Sequence, residues 1–184
     1  AAQHGPQQPG VVNLSLGGPH DAALDNAIAG LVADGLTVVV SAGNDATDAC
    51  TQSPASEPTA LTTAASTSTD ARADFSNVGA CVDLFAPGES IRSLSAANPT
   101  GSLVMSGTSM AAPHVAGVAA LYLGQVPTAN PAQVTTAILD ATVAVISGAG
   151  PSTTTRLLSA AVGPQSPVSP LPGGSPRGGF DRAV

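Results

Sequence analysis

The 184-residue sequence predicts an α/β fold built on a parallel sheet. Residues 11–16 form a short apolar run, apolar residues then recur at helical spacing as far as Gly35, and residues 36–40 form a second, β-branched strand. Strand, helix and strand in this order make a βαβ unit, whose two strands run parallel. Polar or glycine-rich segments follow both strands, at residues 15–18 and 42–44. Because ligands bind beyond the carboxyl ends of parallel strands, we expect these segments to line one crevice.

The other elements are predicted from their local punctuation. Asp21 is a candidate cap for the first helix, and Asn130 followed by Pro131 is typical of a helix start. Further strands are predicted at residues 61–65, 82–85 and 103–105, with an irregular polar segment before them and a last core segment at Leu157 and Leu158. A helix opened by Ser109 carries apolar residues on every side, which predicts that it runs through a core.

One domain is expected over residues 1–162, because a chain of this length can bury one substantial core. Residues 163–184 are dense in proline and glycine and lack apolar periodicity, which predicts a linker or a disordered tail.

The composition excludes some classes of protein. The chain has a net charge of −7, with five arginines, no lysine and no basic run, so nucleic acid is not expected as a partner. The longest apolar stretches are too short to span a membrane, and residues 1–20 lack the features of a signal peptide.

Ser109 lies in the segment of most chemical interest, residues 106–117, which read SGTSMAAPHVAG. A serine hydroxyl becomes a nucleophile only if a base takes its proton and donors stabilise the resulting oxyanion, so its backbone must be held tightly. Gly107 permits a close approach of the backbone, and a serine in the first helical turn keeps its N–H free as one such donor. Pro113 leaves the Ser109 carbonyl without its helical partner. A capping role for Ser109 is the alternative.

The segment 106–117 resembles the nucleophile motif of subtilisin-like serine proteases. Residues 12–18 (VNLSLGG) and 41–44 (SAGN) resemble the family's cleft strand and oxyanion segment, in the right order. The resemblance covers about residues 10–162 and is strongest for the secreted proteinase K and aqualysin branch. It implies a three-layer, doubly wound, mostly parallel sheet of which the N-terminal half is missing, so that this chain is the C-terminal portion of a catalytic domain.

The resemblance also assigns roles. Ser109 would be the nucleophile, and Asn44 would donate to the oxyanion together with the Ser109 N–H, although an asparagine after a glycine is equally typical of a turn. A peptide would bind along the cleft, with an apolar or aromatic side chain before the scissile bond. The implied cleft residues are Ser15, Leu16, Gly17, Gly18, Ala42 and Gly43. For Ser15, Leu16 and Gly17, the alternative is that they form an ordinary strand end without a role in binding.

Two structural features follow from the same branch. Cys50 and Cys81 resemble a disulfide pair of the aqualysin-like enzymes, with two buried free thiols as the alternative. Asp83 resembles an aspartate that binds Ca²⁺ with two main-chain carbonyls, which here would be those of Pro58 and Ala60. A solvated Asp83, or one paired with Arg72 or Arg92, is the alternative.

The sequence lacks the rest of the expected catalytic machinery. The family requires an aspartate and a histidine before the serine, and His4, His20 and His114 match no such motif. We therefore expect a secreted, monomeric serine endopeptidase acting on peptides or proteins, of which these residues alone are inactive. An inhibitory propeptide is a further expected partner. A noncatalytic peptide-binding relative and a serine esterase are the alternatives.

Overall fold

The computed structural model describes residues 9–163 of the chain. Its helices are α1 (Ala22–Ala33), α2 (Thr108–Gln125) and α3 (Pro131–Ala141). Its strands are β1 (Gly10–Leu14), β2 (Gly18–Pro19), β3 (Leu36–Ser41), β4 (Gln52–Ser53), β5 (Leu61–Ser66), β6 (Leu84–Pro87), β7 (Ile91–Ser95), β8 (Asn98–Met105), β9 (Val143–Ala144) and β10 (Arg156–Leu157).

The main sheet has the strand order β1-β3-β5-β6-β10-β9. The first five strands are parallel, and β9 pairs antiparallel with β10 at the far edge. The carboxyl ends of β1, β3, β5 and β6 therefore open onto one edge of the sheet. The predicted α/β fold with a mostly parallel sheet is confirmed.

The predicted βαβ unit is present between β1 and β3. The Asp21 carboxylate caps α1 by accepting the N–H groups of Ala23 and Leu24, and Gly35, at a φ of +92°, turns the chain into β3. Helix α1 packs through Ile28 against Val38 and Val40, which are side chains on one face of the sheet.

Helices α2 and α3 cover the opposite face. Val39 of β3 points to that side and packs in a cluster with Val115 of α2 and Ile138 of α3, all fully buried. Residues of alternate parity on β3 thus face different helices, which is the alternation expected of a strand. The structure has the three layers that the resemblance implied.

Burial departs from the sequence prediction at two elements. The short apolar run of residues 11–16 is typical of a buried strand, but β1 lies at the edge of the sheet and its residues are half-buried or exposed. Helix α2 was expected to be buried on all sides, but only one side packs against the sheet, and the side chain of Leu121 is 60% exposed. An apolar helix and an apolar edge strand thus share an uncovered flank.

Local elements also differ from the prediction. A hairpin of β7 and β8 stands apart from the main sheet, whereas only residues 103–105 were predicted to be a strand. β6 begins two residues later than expected, at Leu84. The segment after Asn44, predicted to be irregular, contains β4, which pairs with β2. Within residues 9–163, none of the helices is both long and apolar enough to cross a bilayer. The tail predicted for residues 163–184 falls outside the described residues from position 164 onward.

Candidate active site

The turn that presents Ser109 is held against the carboxyl end of β6. The Gly107 N–H donates to the Gly88 carbonyl at 2.8 Å, and Gly107, not Ser109, is the N-cap of α2. Helix α2 begins at Thr108, so Ser109 is its second residue rather than its first. The capping alternative for Ser109 is therefore wrong. Its own N–H lies in the first turn, where the helix offers it no carbonyl four residues back.

Ser15 and Ser109 contact each other through two hydrogen bonds. The Ser15 hydroxyl donates to the Ser109 carbonyl at 2.8 Å, and the Ser109 hydroxyl donates to the Ser15 carbonyl at 3.3 Å. The Ser109 carbonyl is the one that Pro113 leaves without a helical donor, so the side chain of Ser15 supplies the missing partner. The candidate cleft strand and the candidate nucleophile are thus joined directly.

Asn44 lies beside the same turn, and its carboxamide is oriented by Thr108. The main-chain N–H of Thr108 donates to Asn44 Oδ1 at 2.8 Å, and the fully buried Thr108 hydroxyl donates to the same oxygen at 2.9 Å. Two donors on one atom identify that atom as the carboxamide oxygen. The opposite end of the carboxamide, Nδ2, is therefore the end that can donate to another molecule.

Ser109 and Asn44 both line a cleft of about 450 Å³ at the carboxyl edge of the sheet. Its other lining residues are Leu16, Gly17, Gly18, Pro19, Ser41, Gly43, Asp45, Thr51, Gln52 and Thr108. This volume falls in the range of small-molecule and side-chain pockets. The structure brings the predicted nucleophile, the predicted oxyanion donor and most predicted cleft residues to one place.

Several of the predicted cleft residues are held in place by main-chain hydrogen bonds. The Leu16 carbonyl accepts the Ser41 hydroxyl at 3.1 Å, which ties the cleft strand to the end of β3. Gly18 pairs with Ser53 in the short antiparallel ladder of β2 and β4. Ala42 is fully buried and its N–H donates to the Thr63 carbonyl, so it supports the cleft wall from behind.

Gly43 is required by the crowding at the base of the cleft. Its φ is +102°, and a Cβ at this position would overlap the side chains of Asn77 and Gln52. The Gln52 amide donates to the Asp45 carboxylate at 2.7 Å. Sequence reasoning missed Asp45, Gln52 and Asn77, because none belongs to a motif and the chain separates them by up to 32 residues.

The described histidines contact groups other than Ser109. His114 Nδ1 donates to the Met110 carbonyl at 2.9 Å on the exposed side of α2. His20 Nδ1 lies 3.4 Å from the carboxylate of Asp25 and 3.4 Å from the hydroxyl of Ser56. His4 lies outside the described residues. Neither described imidazole is a base for Ser109 in this structure.

Cys50 and Cys81 form a disulfide, so the free-thiol alternative is wrong. The bond anchors the segment that begins with the short 3₁₀ helix Ala49–Thr51 and continues into Gln52, whose side chain lines the cleft.

Asp83, the carboxylate of the predicted calcium site, contacts the start of β5, the strand that follows Ala60 in the chain. Its Oδ2 accepts the Thr62 N–H at 2.8 Å, two residues beyond Ala60. Carboxylate and main-chain carbonyl oxygens are the hard ligands that suit Ca²⁺. Arg72 donates to main-chain carbonyls and Arg92 to the Ser102 hydroxyl, and the pairing of Asp83 with an arginine stays the alternative. The types of donor atom suit the ion, and calcium binding at Asp83, Pro58 and Ala60 stays a prediction.

The fold and the cleft define an α/β protein with a serine and a carboxamide donor facing one crevice at the carboxyl edge of a parallel sheet. The family model described as the subtilase family matches residues 1–164. The chain belongs to the subtilase family.

Known relatives agree with this assignment. The chain is 54% identical over 144 residues to an extracellular serine proteinase of Thermus sp. (strain Rt41A), and 52% identical over 126 residues to the alkaline serine exoprotease A of Vibrio alginolyticus. A solved cold-adapted subtilisin-like serine proteinase superposes with a TM-score of 0.78 at 44% identity, over 82% of this chain. The fold is therefore subtilisin-like.

The matches cover only part of each relative. The chain spans 35% of the Thermus proteinase, 23% of the Vibrio protease and 54% of the solved proteinase. The match extends over 78% and 68% of this chain in the first two cases.

Proposed function

We propose that the protein from which this chain comes is a serine endopeptidase that works through an acyl-enzyme, with Ser109 as the nucleophile. The observation that carries the proposal is that Ser109 and Asn44 line one cleft. Thr108 holds the carboxamide oxygen of Asn44 with two hydrogen bonds, which leaves the carboxamide nitrogen as the end that can donate to a substrate. Membership of the subtilase family and the names of the relatives support the same activity.

In the proposed reaction, Ser109 Oγ attacks the carbonyl carbon of the scissile peptide bond and loses its proton to a base. The negative oxygen of the tetrahedral intermediate accepts hydrogen bonds from Asn44 Nδ2 and from the Ser109 N–H. The C–N bond then breaks, the leaving amine takes the proton from the base, and an ester to Ser109 remains. Water hydrolyses this ester by the reverse sequence of proton transfers and releases the new carboxylate.

The base is proposed to come from a part of the protein outside this chain, with its orienting aspartate. Both described histidines contact other groups, and the chain spans about half of the solved proteinase. The Ser109 hydroxyl donates to the Ser15 carbonyl at 3.3 Å, a long bond that an imidazole can replace at little cost. We accordingly propose that the 184 residues alone do not turn over peptides.

The substrate is proposed to be an extended peptide lying along Ser15, Leu16 and Gly17, with the side chain before the scissile bond in the cleft beside Gly43. The preference for an apolar or aromatic side chain before the scissile bond, implied by the resemblance, stays a prediction. Asp45 and Gln52 add polar groups to the lining of the same cleft.

Secretion and a bound calcium ion belong to the same proposal. The disulfide favours an oxidising compartment, and the Thermus relative is named an extracellular proteinase. A Ca²⁺ held by Asp83 and the carbonyls of Pro58 and Ala60 would neutralise the carboxylate and tie the start of β5 to the segment before β6. A monomeric protein and an inhibitory propeptide stay predictions.

The test uses the protein expressed from its complete reading frame. We expect hydrolysis of peptide substrates, loss of that hydrolysis in Ser109→Ala, and covalent labelling of Ser109 by a fluorophosphonate, located by peptide mass spectrometry. Ser106→Ala is the matched control, since this exposed serine lies in the same turn and its hydroxyl accepts the Ser90 N–H, away from Asn44 and Ser15. Peptide binding without hydrolysis by the complete protein would instead establish the noncatalytic alternative, and hydrolysis of esters but not peptides would establish an esterase.

A further inference from the structure

Asn77 is a fully buried polar residue that no motif in the sequence singles out. It follows β5 in the chain and lies in the loop before β6, yet its hydrogen bonds go to the segment that carries Asn44. A buried asparagine has two donor hydrogens and one acceptor oxygen in its side chain, and each must be paired if the residue is not to destabilise the fold.

The side chain of Asn77 contacts that segment on both sides of Asn44. Asn77 Nδ2 donates to the Ala42 carbonyl at 2.8 Å, before Asn44. Asn77 Oδ1 accepts the N–H groups of Asp45 and Thr47, each at 3.0 Å, after Asn44. One carboxamide thus fixes three peptide groups that flank the oxyanion candidate.

Two further bonds complete the contact. The main-chain N–H of Asn77 donates to the Gly43 carbonyl at 3.0 Å, and Nδ2 also donates to Gln52 Oε1 at 3.1 Å. The second bond reaches the side chain that lines the cleft, so Asn77 supports both the Asn44 segment and the wall of the pocket.

From this geometry we infer that Asn77 is a positioning residue for the oxyanion site: it fixes the main chain around Asn44, while Thr108 fixes the Asn44 side chain. The inference rests on the proposed function and adds a residue to it. An oxyanion donor must lie within a few tenths of an ångström of its productive position before the reaction begins, because it gains most when no reorganisation is needed. Asn44 itself is exposed, so hydrogen bonds from neighbouring segments hold its main chain; besides those of Asn77, the Phe75 carbonyl accepts the Ala46 N–H.

Asn77→Asp is the informative substitution. It keeps the shape and the acceptor of the side chain but replaces Nδ2 by a second oxygen, which faces the Ala42 carbonyl and Gln52 Oε1 without a hydrogen. We expect kcat for peptide hydrolysis by the complete protein to fall roughly 10- to 100-fold, with KM changed less than about threefold. The affinity for a peptide aldehyde, which places an oxyanion-like group at Ser109, falls in parallel.

Ser76→Ala is the matched control. Ser76 is equally buried and neighbours Asn77, but its hydroxyl bonds to the main chain of Ala65 and of Asn77 itself, not to the Asn44 segment. Its loss lowers stability in the same loop. With both variants assayed well below their melting temperatures, we expect Ser76→Ala to keep the wild-type kcat.

A double-mutant cycle with Asn44→Ala separates positioning from general stability. If Asn77 acts through Asn44, Asn77→Asp lowers kcat by less than about threefold further once Asn44 is alanine. Equal effects in both backgrounds, or equal kcat losses in Asn77→Asp and Ser76→Ala, would overturn the inference. Failure of the wild-type protein to hydrolyse any peptide in a Ser109-dependent manner would instead overturn the proposed function.

Amide hydrogen exchange tests the same contact without a substitution. Asp45 and Thr47 are exposed residues, so their amides should exchange rapidly unless Asn77 Oδ1 accepts them. We expect both amides to be protected in the wild-type protein. Exchange at the rates of an unstructured loop would show that Asn77 does not hold this segment, and the inference would fail even if Asn77→Asp did not fold.

Discussion

The hydroxyl of Ser15 donates to the carbonyl of Ser109, the acceptor that Pro113 leaves without a partner inside α2. Ser15 is itself oriented by the Asn13 amide, which donates to its hydroxyl at 3.0 Å. A chain of hydrogen bonds therefore runs from the end of β1 into the first turn of α2. The proline that breaks the helical pattern thereby makes the candidate nucleophile dependent on the cleft strand.

Ser15→Ala should remove this support. The Ser109 carbonyl then lacks a donor in a half-buried position, which costs about 1 kcal/mol of folding free energy, and the first turn of α2 can shift. We expect kcat for peptide hydrolysis by the complete protein to fall several-fold, measured with saturating substrate. Ser15→Thr keeps the hydroxyl and is the control; an equal loss in the threonine variant would show that the bond to Ser109 is not responsible.

Asp45→Asn should change the discrimination between side chains before the scissile bond. The Asp45 carboxylate lines the cleft, and its Oδ2 accepts a hydrogen bond from the Gln52 amide. The negative charge of the carboxylate can therefore attract a basic side chain of the substrate. Asp45 is exposed, and an exposed ion pair contributes up to about 1 kcal/mol. We expect kcat/KM to fall about 3- to 10-fold for a substrate with arginine at that position, and to stay unchanged for the phenylalanine analogue.

The control for charge alone is Asp140→Asn, at an exposed position of α3 away from the cleft. The effect of Asp45→Asn should also shrink at high salt, because exposed charges are screened. Equal changes for the arginine and phenylalanine substrates would contradict a direct role of the carboxylate in recognition.

Prediction from the sequence succeeded where the signal is local. Asp21 and Gly35 mark the ends of α1 through capping and a left-handed turn, and both signals depend only on neighbouring residues. The candidate site followed from the order of strands and from three motifs, because the ends of parallel strands converge whatever lies between them.

Prediction failed where the structure depends on distant contacts. Asn77 is buried because its loop meets the Asn44 segment and Gln52, and nothing in its own neighbourhood indicates this. The hairpin of β7 and β8 lacks a clear alternating pattern, and the Leu94 side chain within it is 87% exposed. Leu121 was predicted to be buried because it is an apolar residue on an apolar helix, but its side chain is largely exposed.

Removal of the disulfide should lower stability and loosen the cleft wall. The two cysteines are 31 positions apart, and closing a loop of this size stabilises a fold by roughly 3–4 kcal/mol in the chain-entropy estimate. We expect the variant with Cys50→Ala and Cys81→Ala to melt at a clearly lower temperature in calorimetry. A reductant should lower the melting temperature of the wild-type protein but not that of the variant, and insensitivity of both would contradict the prediction.

Asp83→Asn should abolish stabilisation by calcium. The carboxylate would supply the only full negative charge among the three proposed ligands, so the amide variant should bind the ion far more weakly. We expect millimolar Ca²⁺ to raise the melting temperature of the complete wild-type protein relative to protein in EDTA, and to leave that of Asp83→Asn unchanged. The comparison within each protein removes the effect of the substitution on stability itself, and an equal rise in both would locate the ion elsewhere.

The 184-residue chain expressed alone should self-associate through the uncovered flank of α2 and β1. Leu121 is largely exposed, β1 is an edge strand, and a groove of about 490 Å³ lies between them. The groove is lined by Pro9, Gly10, Val11, Ala120, Leu123, Gly124 and Pro127. Exposed apolar surface beside an unpaired strand edge favours association.

We expect light scattering to show oligomers that Leu121→Gln reduces more than Leu94→Gln, although Leu94 is the more exposed leucine. A monomer with a sharp, reversible thermal transition would show that this flank needs no covering, and equal effects of the two leucines would assign the association to apolar surface in general.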